Sequence, residues 1–438
     1  MEGRNILISP LNWGFGHAGR MLALAQALKA RGNEVTFGAD RSLIPLIENE
    51  LPGTNVISIS GVRIRYSRRL PQYLCIFLQL PCLIASSLRE HRILRKVAAS
   101  IKPDIIISDN RPGLFHRDIV SVYVTHQVRI AFPLWLRFFE PAGAWLHRMI
   151  IRNFDLCLIP DYPGPENLAG RLSHQPPLPQ HICYMGPLSR FRQTDYLSPF
   201  SRTVPAGDNE FNTGQPSGFP ETEPSNGAAG IPGRISYQTS GQPLQLPSIK
   251  PFCCLILSGP EPQRSVLLEK VAAAVEVMPL VILTVTPLPP DCKVTPLPPP
   301  FDKAPGVTVT GSHNSAVMPD RIADTGVTVF VNPDTATMMS LIAGSALVVT
   351  RAGYTTIMEL ASMGKGAVLI PTPGQTEQEY LGSHLNGRHG FVTIRQHDIG
   401  RSGIIHMETM SDSNTLLPDS GPLLEEVVNR LLQQKKVK

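Results

Sequence analysis

The chain has no dense run of basic residues and few charged residues of either sign. Asp, Glu, Lys and Arg make up 17% of its 438 residues, and the formal net charge is +5. Proteins that bind nucleic acid gather Lys and Arg on one face or along one helix. The mild and scattered positive charge therefore argues against nucleic acid as a partner.

Cysteine is also scarce and unpatterned. The seven cysteines are odd in number, form no CxxC pair and fall mostly in apolar runs. A disulfide framework needs paired cysteines in an oxidising compartment, and a structural zinc site needs closely spaced Cys and His ligands. The pattern predicts buried thiols in a reducing compartment, and no metal site.

Long hydrophobic runs are missing as well. The most apolar segment, 73–85, is interrupted by Pro81 and is too short to span a bilayer. The first residues do not have the basic-then-apolar layout of a signal peptide, so we expect a cytoplasmic protein. The segments 73–85 and 130–139 are either helices that line the core or an interfacial patch that touches the inner face of the membrane. The sequence leaves both interpretations open.

The length and the 42% hydrophobic content suit two domains. Strands alternate with helices in both halves, which predicts an α/β fold of two Rossmann-like parallel-sheet domains that face a cleft. The expected divisions are a first domain at 1–190, a disordered linker or insertion rich in Gly, Pro and Ser at 191–250, a second domain at 251–400, and a tail at 401–438 whose helix packs back on the first domain.

The second half contains a strand-turn-helix that suits an anion. An apolar strand at 346–350 leads to Gly353, which we expect to turn the chain sharply into a helix that begins near Thr355. Backbone N–H groups and the dipole at a helix N-terminus favour a phosphate group. The next strand ends in a loop with Gln375, Glu377 and Gln378, whose side chains suit sugar hydroxyls. A capping box from Thr356 to Glu359 is the structural alternative.

The first half contains a glycine-rich turn at 12–20 between a strand and a helix predicted over 21–30. Gly14, Gly16 and Gly19, with Asp40 about twenty residues further on, satisfy the dinucleotide-binding pattern and make an NAD(P)-dependent oxidoreductase an alternative. His17 is expected at the apex of this turn, where it is better suited to a chemical role than to binding a pyrophosphate. A reactive loop on one domain and an anion site on the other place catalysis in the cleft between them.

These residues together resemble glycosyltransferases of the GT-B fold. The glycine-rich turn with its His, the segment 351–359 and the segment 371–378 are similar to family 28, which includes the bacterial N-acetylglucosaminyltransferase of peptidoglycan synthesis and uncharacterised predicted glycosyltransferases. The segments 108–111, 126–127, 167–174 and 186–191 also resemble the uncharacterised group. The 191–250 insertion and a proline-rich repeat at 285–299 depart from the family pattern.

The resemblance implies a hexosyltransferase that needs no cofactor or metal and that moves a sugar from a nucleoside diphosphate sugar, expected to be a UDP-sugar, to an acceptor hydroxyl with inversion. The acceptor is unknown, and a lipid-linked one would suit the 73–85 region. The implied donor-binding residues are Ser258, Gly259, Arg264, Arg351, Gly353, Tyr354, Thr355, Glu359, Gln375, Glu377 and Gln378.

His17 is the expected general base, because an imidazole titrates near neutral pH. Asp109, which follows a predicted strand, is its acidic partner or an alternative base, and Asp40 is a second alternative. The residues expected to line the acceptor side are Gly14, Gly16, Arg111 and His126. A catalytically idle subunit that only binds nucleotide sugars remains a third interpretation.

Overall fold

The computed structural model describes residues 3–12, 15–61, 72–179, 181–191, 238–239, 242–243, 251–275, 278–286, 288, 307–311, 327–400 and 417–436. Gly14 lies outside these ranges, as do most of the predicted linker and most of the proline-rich repeat. Within the linker, Gln238–Thr239 and Gln242–Pro243 form a short antiparallel pair, where we had expected no regular structure.

A seven-stranded parallel sheet forms the first domain, in the order β3-β2-β1-β4-β5-β6-β7. Its strands are β1 Asn5–Ser9, β2 Glu34–Ala39, β3 Asn55–Ser58, β4 Ile105–Asp109, β5 Val120–Val124, β6 Leu156–Ile159 and β7 Ile182–Tyr184. Its helices are α1 Phe15–Lys29, α2 Ile44–Glu50, α3 Gln72–Leu78, α4 Leu80–Ile101, α5 Glu140–Ile151 and α6 Arg171–His174. The central strands β4 and β5 are buried along their whole length, as expected for a parallel sheet covered by helices on both faces.

A second parallel sheet forms the other domain, in the order β10-β11-β9-β8-β12-β13-β14. Its strands are β8 Cys253–Leu257, β9 Leu280–Thr284, β10 Val307–Gly311, β11 Val327–Val331, β12 Leu347–Thr350, β13 Ala367–Leu369 and β14 Phe391–Thr393. Its helices are α7 Gln263–Ala274, α8 Thr335–Gly344, α9 Tyr354–Ser362 and α10 Thr376–Leu385. The two sheets confirm the fold class that the alternation of strands and helices predicts.

The last described helix, α11 Gly421–Gln433, returns to the first domain. Its residues Val427, Val428 and Leu431 are buried in the same hydrophobic core as Met21 and Leu28 of α1. Arg4 Nη1 donates to the carbonyl of Gln434 at 2.8 Å, just beyond the end of the helix. The first domain is therefore completed by residues that lie beyond the second domain in the chain.

Helix α1 begins at Phe15, six residues earlier than the sequence predicts. Glycine costs a helix about 1 kcal/mol relative to alanine, so the glycines at 16 and 19 argued for a turn. Packing overrides this preference, because Ala18 and Arg20 are buried within the same first turns. His17 therefore lies on the first turn of a helix and not at the apex of a loop.

Large apolar side chains are exposed along α3, α4 and α5 of the first domain. Both α4 and α5 connect strands in the direction of the β7 edge, so right-handed crossovers place them on the same face of the sheet. We call this the apolar surface; its exposed members are Phe77, Leu78, Leu80, Ile84, Leu88, Ile130, Trp135, Phe138, Phe139, Trp145, Leu146 and Met149. The core-lining interpretation of these segments is wrong for these side chains, since Phe138 is 70% exposed. Among the described helices, none combines the length and the apolar character that crossing a membrane requires.

Candidate active site

The two domains meet at the carboxyl ends of their strands, where open parallel sheets bind ligands. From the first domain, α1 follows β1, Asp109 ends β4, and His126 follows β5. From the second domain, α9 follows β12 and α10 follows the loop after β13. An apolar cluster that joins Ala131 and Leu168 to Ile357 holds the domains together beside this cleft.

His17 and Asp109 form a close pair in the cleft. His17 Nδ1 lies 2.8 Å from Asp109 Oδ2, and the Asp109 side chain is fully buried while that of His17 is 18% exposed. Burial, assisted by the charge of Arg20, lowers the pKa of His17, although the Asp109 carboxylate acts in the opposite direction. Burial opposes ionisation of Asp109, yet Arg20 and His17 together hold the pKa of Asp109 below its usual value. The pair is thus a neutral imidazole beside a carboxylate at neutral pH.

Arg20 lies at the centre of this cluster and was not among the predicted site residues. Its side chain is 1% exposed. Its guanidinium forms a two-pronged ion pair with Asp109, with Nε 3.1 Å from Oδ2 and Nη2 in contact with Oδ1. Nη2 also lies 2.8 Å from His17 Nδ1, and Nη1 lies 3.2 Å from His126 Nδ1. Its place in the same glycine-rich segment as His17 was the only available signal.

His126 connects the first domain to the second. Its Nε2 lies 2.8 Å from Glu377 Oε1, and its ring stacks on Tyr354 with centroids 4.2 Å apart and planes 4° apart. The Tyr354 hydroxyl donates to the carbonyl of Pro160 at 2.8 Å, so this side chain also crosses the cleft. Burial opposes ionisation of Glu377, but His126 holds the pKa of that carboxyl below its usual value.

Asp161 fixes the loop that receives Tyr354. Its buried carboxylate accepts from the backbone N–H groups of Tyr162, Leu168 and Ala169 at 2.9, 2.8 and 2.9 Å. Burial raises the pKa of Asp161 in spite of these bonds. The loop after β6 is therefore folded around one side chain.

The strand-turn-helix predicted to bind an anion is formed by β12, the N-cap residue Gly353 and α9. Gly353 is the N-cap residue, and no other atom lies within 4 Å of the position that a Cβ would occupy there. Its φ is −81°, a conformation open to any residue. The expectation that the turn into α9 requires glycine is therefore wrong. Thr355 packs against Gly16, because a Cβ on Gly16 would lie 2.8 Å from Thr355 Oγ1.

The capping-box alternative is wrong. A capping box would need Thr356 at the N-cap, where its N–H could donate to the Glu359 carboxylate, but the N-cap is Gly353 and Thr356 lies inside α9. The carboxylate of Glu359 accepts from Arg190 Nε of the first domain at 2.8 Å. Arg190, in the segment 186–191, is a second residue that the sequence did not select.

Three of the expected donor-binding side chains are engaged within the second domain. Arg351 is buried, donates to the carbonyls of Ile370 and Gln263 at 3.2 and 2.6 Å, and has its pKa lowered to about 10 by burial. Arg264 pairs with Glu261 at 2.7 Å and contacts Thr286, and Gln378 Oε1 accepts from the N–H of Thr372 at 2.8 Å. These side chains brace the loops of the cleft.

The remaining donor-side residues lie at strand and helix ends. Ser258 and Gly259 follow β8, and Gly259 has a φ of +98°. Gln375 is the N-cap residue of α10, and its side chain makes no capping hydrogen bond. All three are at least partly exposed at the cleft edge of the sheet.

Two acidic or basic residues of the first domain have other roles than those expected. Arg111 is 1% exposed, pairs with Glu90 at 3.1 Å and donates to Ser9 Oγ at 2.8 Å, so it is part of the domain interior and not of the acceptor side. Asp40 accepts from the N–H of Ser42 at 3.1 Å and caps a 3₁₀ turn, which is the structural alternative to a base. Within the described ranges, no three His, Cys, Asp or Glu side chains cluster as metal ligands would.

Residues 307–399 match the glycosyltransferase family 28 C-terminal domain. The chain is 31% identical over 144 residues to UDP-N-acetylglucosamine–N-acetylmuramyl-(pentapeptide) pyrophosphoryl-undecaprenol N-acetylglucosamine transferase 1 of Bacillus cereus, covering 29% of this chain and 39% of the relative. It is 31% identical over 121 residues to transferase 2 of Bacillus thuringiensis, covering 24% and 33%. The chain thus matches about two fifths of the relatives' length or less.

Two solved structures share the arrangement of both domains. The calicheamicin glycosyltransferase CalG4 superimposes with a TM-score of 0.51 at 14% identity, over 99% of each chain. The spinosyn rhamnosyltransferase SpnG, complexed with thymidine diphosphate, gives a TM-score of 0.52 at 14% identity, over 98% of this chain and 100% of that one. The chain therefore has the two-domain GT-B fold, and its residues 307–399 are similar to the glycosyltransferase family 28 C-terminal domain.

Proposed function

We propose that the protein is a glycosyltransferase that moves a sugar from a UDP-sugar to an acceptor hydroxyl by a single inverting displacement, without a catalytic metal ion. The observation that carries the proposal is the placement of the His17–Asp109 pair opposite the start of α9, across a cleft between two parallel sheets. The family 28 match includes α9 and the loop before α10. The similar transferases of Bacillus are named for a UDP-sugar donor.

His17 is the proposed general base. His17 Nδ1 lies 2.8 Å from Asp109 Oδ2, which can only accept, and 2.8 Å from Arg20 Nη2, which can only donate. The base role requires the tautomer in which Nδ1–H donates to Asp109, because the lone pair of Nε2 can then accept a proton from the acceptor hydroxyl. The acceptor oxygen then forms a bond to the anomeric carbon, and the bond from that carbon to the phosphate oxygen breaks with its electron pair. His17 receives the proton and UDP departs. The lowered pKa of His17 keeps the imidazole neutral, as this role requires.

The start of α9 is the proposed site of the diphosphate. The N–H groups after Gly353 have no helical partners, and the helix dipole stabilises the charge that develops on the departing UDP. Thr355 adds a hydroxyl at this end. Glu359 accepts from Arg190 through Oε1, and we assign Oε2 to the ribose hydroxyls. Gln375 and Glu377 are assigned to the donor sugar.

Isothermal titration of the whole protein tests the donor assignment. The ligands are UDP, UDP-N-acetylglucosamine, UDP-glucose, NADH and NADPH in EDTA. Thymidine diphosphate joins them because the similar rhamnosyltransferase is complexed with it. Binding of a UDP species without NAD(P)H supports the proposal, whereas NAD(P)H binding without any nucleoside diphosphate contradicts it and restores the oxidoreductase alternative.

Release of UDP from the bound UDP-sugar, to water or to added acceptors, distinguishes an enzyme from a non-catalytic binding subunit. His17→Ala should abolish release and preserve donor affinity. His397→Ala is the matched control, because the His397 side chain is 69% exposed and forms a surface ion-pair contact with its neighbour Asp398. Full activity in His17→Ala would remove the base assignment.

The apolar surface supports a lipid-linked acceptor as a second part of the proposal. The parts of the apolar surface on α3, α4 and the 3₁₀ turn Leu134–Phe139 belong to the connections that leave the carboxyl ends of β3 and β5, the edge of the sheet where His17 also lies. The relative from Bacillus cereus is named for an undecaprenol-linked substrate. Arg137 and Arg152, which belong to the same part of the chain, add positive charge that suits anionic headgroups.

Vesicle sedimentation tests this part. Replacing Phe138 and Trp145 with aspartate should abolish binding to vesicles that contain anionic phospholipid. Asn55→Asp is the control, because Asn55 is exposed at the amino end of β3, at the opposite edge of the sheet. Equal binding of the wild type and the double variant would contradict membrane contact through the apolar surface.

A further inference from the structure

Arg20 is the only described side chain that contacts His17, Asp109 and His126 at once. A guanidinium is always charged and can only donate hydrogen bonds. His126 Nδ1 must therefore accept from Arg20 Nη1 at 3.2 Å, which leaves the ring proton on Nε2. With that tautomer, Nε2–H donates to Glu377 Oε1 at 2.8 Å, across the cleft. The His126–Glu377 contact between the two domains thus depends on a residue buried within the first.

The same guanidinium fixes the base. Its two-pronged contact holds both oxygens of Asp109. His17 Nδ1 lies 2.8 Å from both Asp109 Oδ2 and Arg20 Nη2, and the proposed base role assigns the Nδ1 proton to the bond with Asp109. A planar guanidinium fork can hold a carboxylate in one orientation, which a lysine ammonium cannot do. The orientation of the His17 ring then follows from that of Asp109.

We propose that Arg20 is a positioning residue for both halves of the transfer: it orients His17 through Asp109, and it sets the tautomer with which His126 holds Glu377 of the second domain. The inference rests on the proposed function, in which His17 serves the acceptor and Glu377 serves the donor sugar. Arg20 is screened from the cleft by burial and acts through these side chains. Closure of the cleft and alignment of the base are then coupled through one side chain.

The charged groups around His17 predict a pH signature. Asp109 from β4, Arg20 from α1, His126 from the loop after β5 and Glu377 from α10 are the titratable and charged groups that face it. The Arg20 charge contributes to lowering the pKa of His17. Arg20→Met should therefore move the acidic limb of the kcat profile to higher pH. Arg20→Lys keeps the charge and should leave the limb in place.

Both variants should lose turnover. Loss of the fork misplaces the base, and such misplacement costs about 100-fold in rate. We expect kcat for UDP release from UDP-N-acetylglucosamine to fall by about 100-fold in Arg20→Met and in Arg20→Lys. The KM for UDP-N-acetylglucosamine should change much less than kcat, because Arg20 is buried and does not reach the cleft. A residue with only a structural role would not move the pH limb in one variant and leave it in the other.

Nitrogen-15 NMR of histidine-labelled protein tests the same inference without any substrate. The wild type should show His126 protonated on Nε2, with the resonance identified by its loss in His126→Asn. The titration of His17 should move to higher pH in Arg20→Met, provided that circular dichroism shows an intact fold. If Arg20→Met does not fold, the inference is tested by the His17 titration in Arg20→Lys and by the His126 tautomer in the wild type.

His126 protonated on Nδ1, or a His17 titration that is unchanged in folded Arg20→Met, would overturn the inference. Failure of the proposed function has a different signature. In that case, no UDP species binds and no UDP is released by the wild type, while the tautomer and the titration remain measurable.

Discussion

Replacing Gly16 with alanine tests whether the close approach of the two domains is required for transfer. The new Cβ would lie 2.8 Å from Thr355 Oγ1 and 2.9 Å from Thr355 Cβ. Carbon atoms do not approach so closely, and Thr355 belongs to the first turn of α9, so either a helix or the whole second domain must shift. Introducing a methyl group into a packed contact of this kind costs about 1–3 kcal/mol.

The magnitude follows from where the strain acts. Within the first domain, alanine stabilises a helix such as α1 by about 1 kcal/mol relative to glycine. Gly16→Ala should therefore not lower the free energy of unfolding of that domain. The strain instead opposes the closed cleft. A cost of about 2 kcal/mol lowers the ratio of closed to open molecules about 30-fold, because each 1.4 kcal/mol is tenfold. We expect kcat/KM for UDP release to fall by about that factor.

The matched control adds the same methyl group one turn further along α1. A Cβ on Gly19 would lie 3.7 Å from Glu359 Oε1, an ordinary contact, so Gly19→Ala should leave kcat/KM within about twofold. Gly16→Ala combined with Thr355→Gly removes the clash and should recover part of the rate. Equal rates in Gly16→Ala and wild type, measured by UDP release with circular dichroism as the check on folding, would refute the reasoning.

Three further predictions concern single carboxylates. In Asp109→Asn, kcat should fall by about 100-fold or more, and its acidic limb should move to lower pH, since the Asp109 carboxylate raises the pKa of His17; a pH–rate profile measures both. Glu359→Gln should weaken UDP binding about tenfold in calorimetry, through loss of a charged acceptor for Arg190 and the ribose; unchanged affinity would exclude the ribose contact. Asp161→Ala leaves three buried N–H groups unpaired and should lower the free energy of unfolding by about 3 kcal/mol in urea titrations, whereas a loss below 1 kcal/mol would contradict that account.

The fold could be predicted because its signals are local. Apolar strands such as Ile105–Asp109 and Leu347–Thr350 alternate with amphipathic helices, and a parallel sheet is the arrangement that buries such strands on both faces. The pairing of His17 with Asp109 could also be predicted, since both residues lie next to the carboxyl ends of strands that meet at one edge of the sheet. The family resemblance supplied the assignment of the cleft to a sugar donor.

The partners of the arginines could not be predicted in this way. Arg20, Arg111 and Arg351 are all buried, and each has partners that are 19 or more residues away in the chain. Such partners are set by the tertiary fold, and an arginine in a sequence does not show whether it faces solvent, a phosphate or a carboxylate. The start of α1 was missed for the same reason, because contacts with a distant helix outweigh the helix propensity of two glycines.

Helix α11 has a consequence for how the protein is made. Val427, Val428 and Leu431 complete the core of a domain whose first strand is Asn5–Ser9, so the ribosome delivers the two parts of one core more than 400 residues apart. Synthesis proceeds at about 5–20 residues per second, and the nascent first domain waits tens of seconds with one side of α1 uncovered. A fragment that stops before α11 would present that uncovered side permanently. Expression of the first domain alone therefore calls for α11 to be fused back onto it.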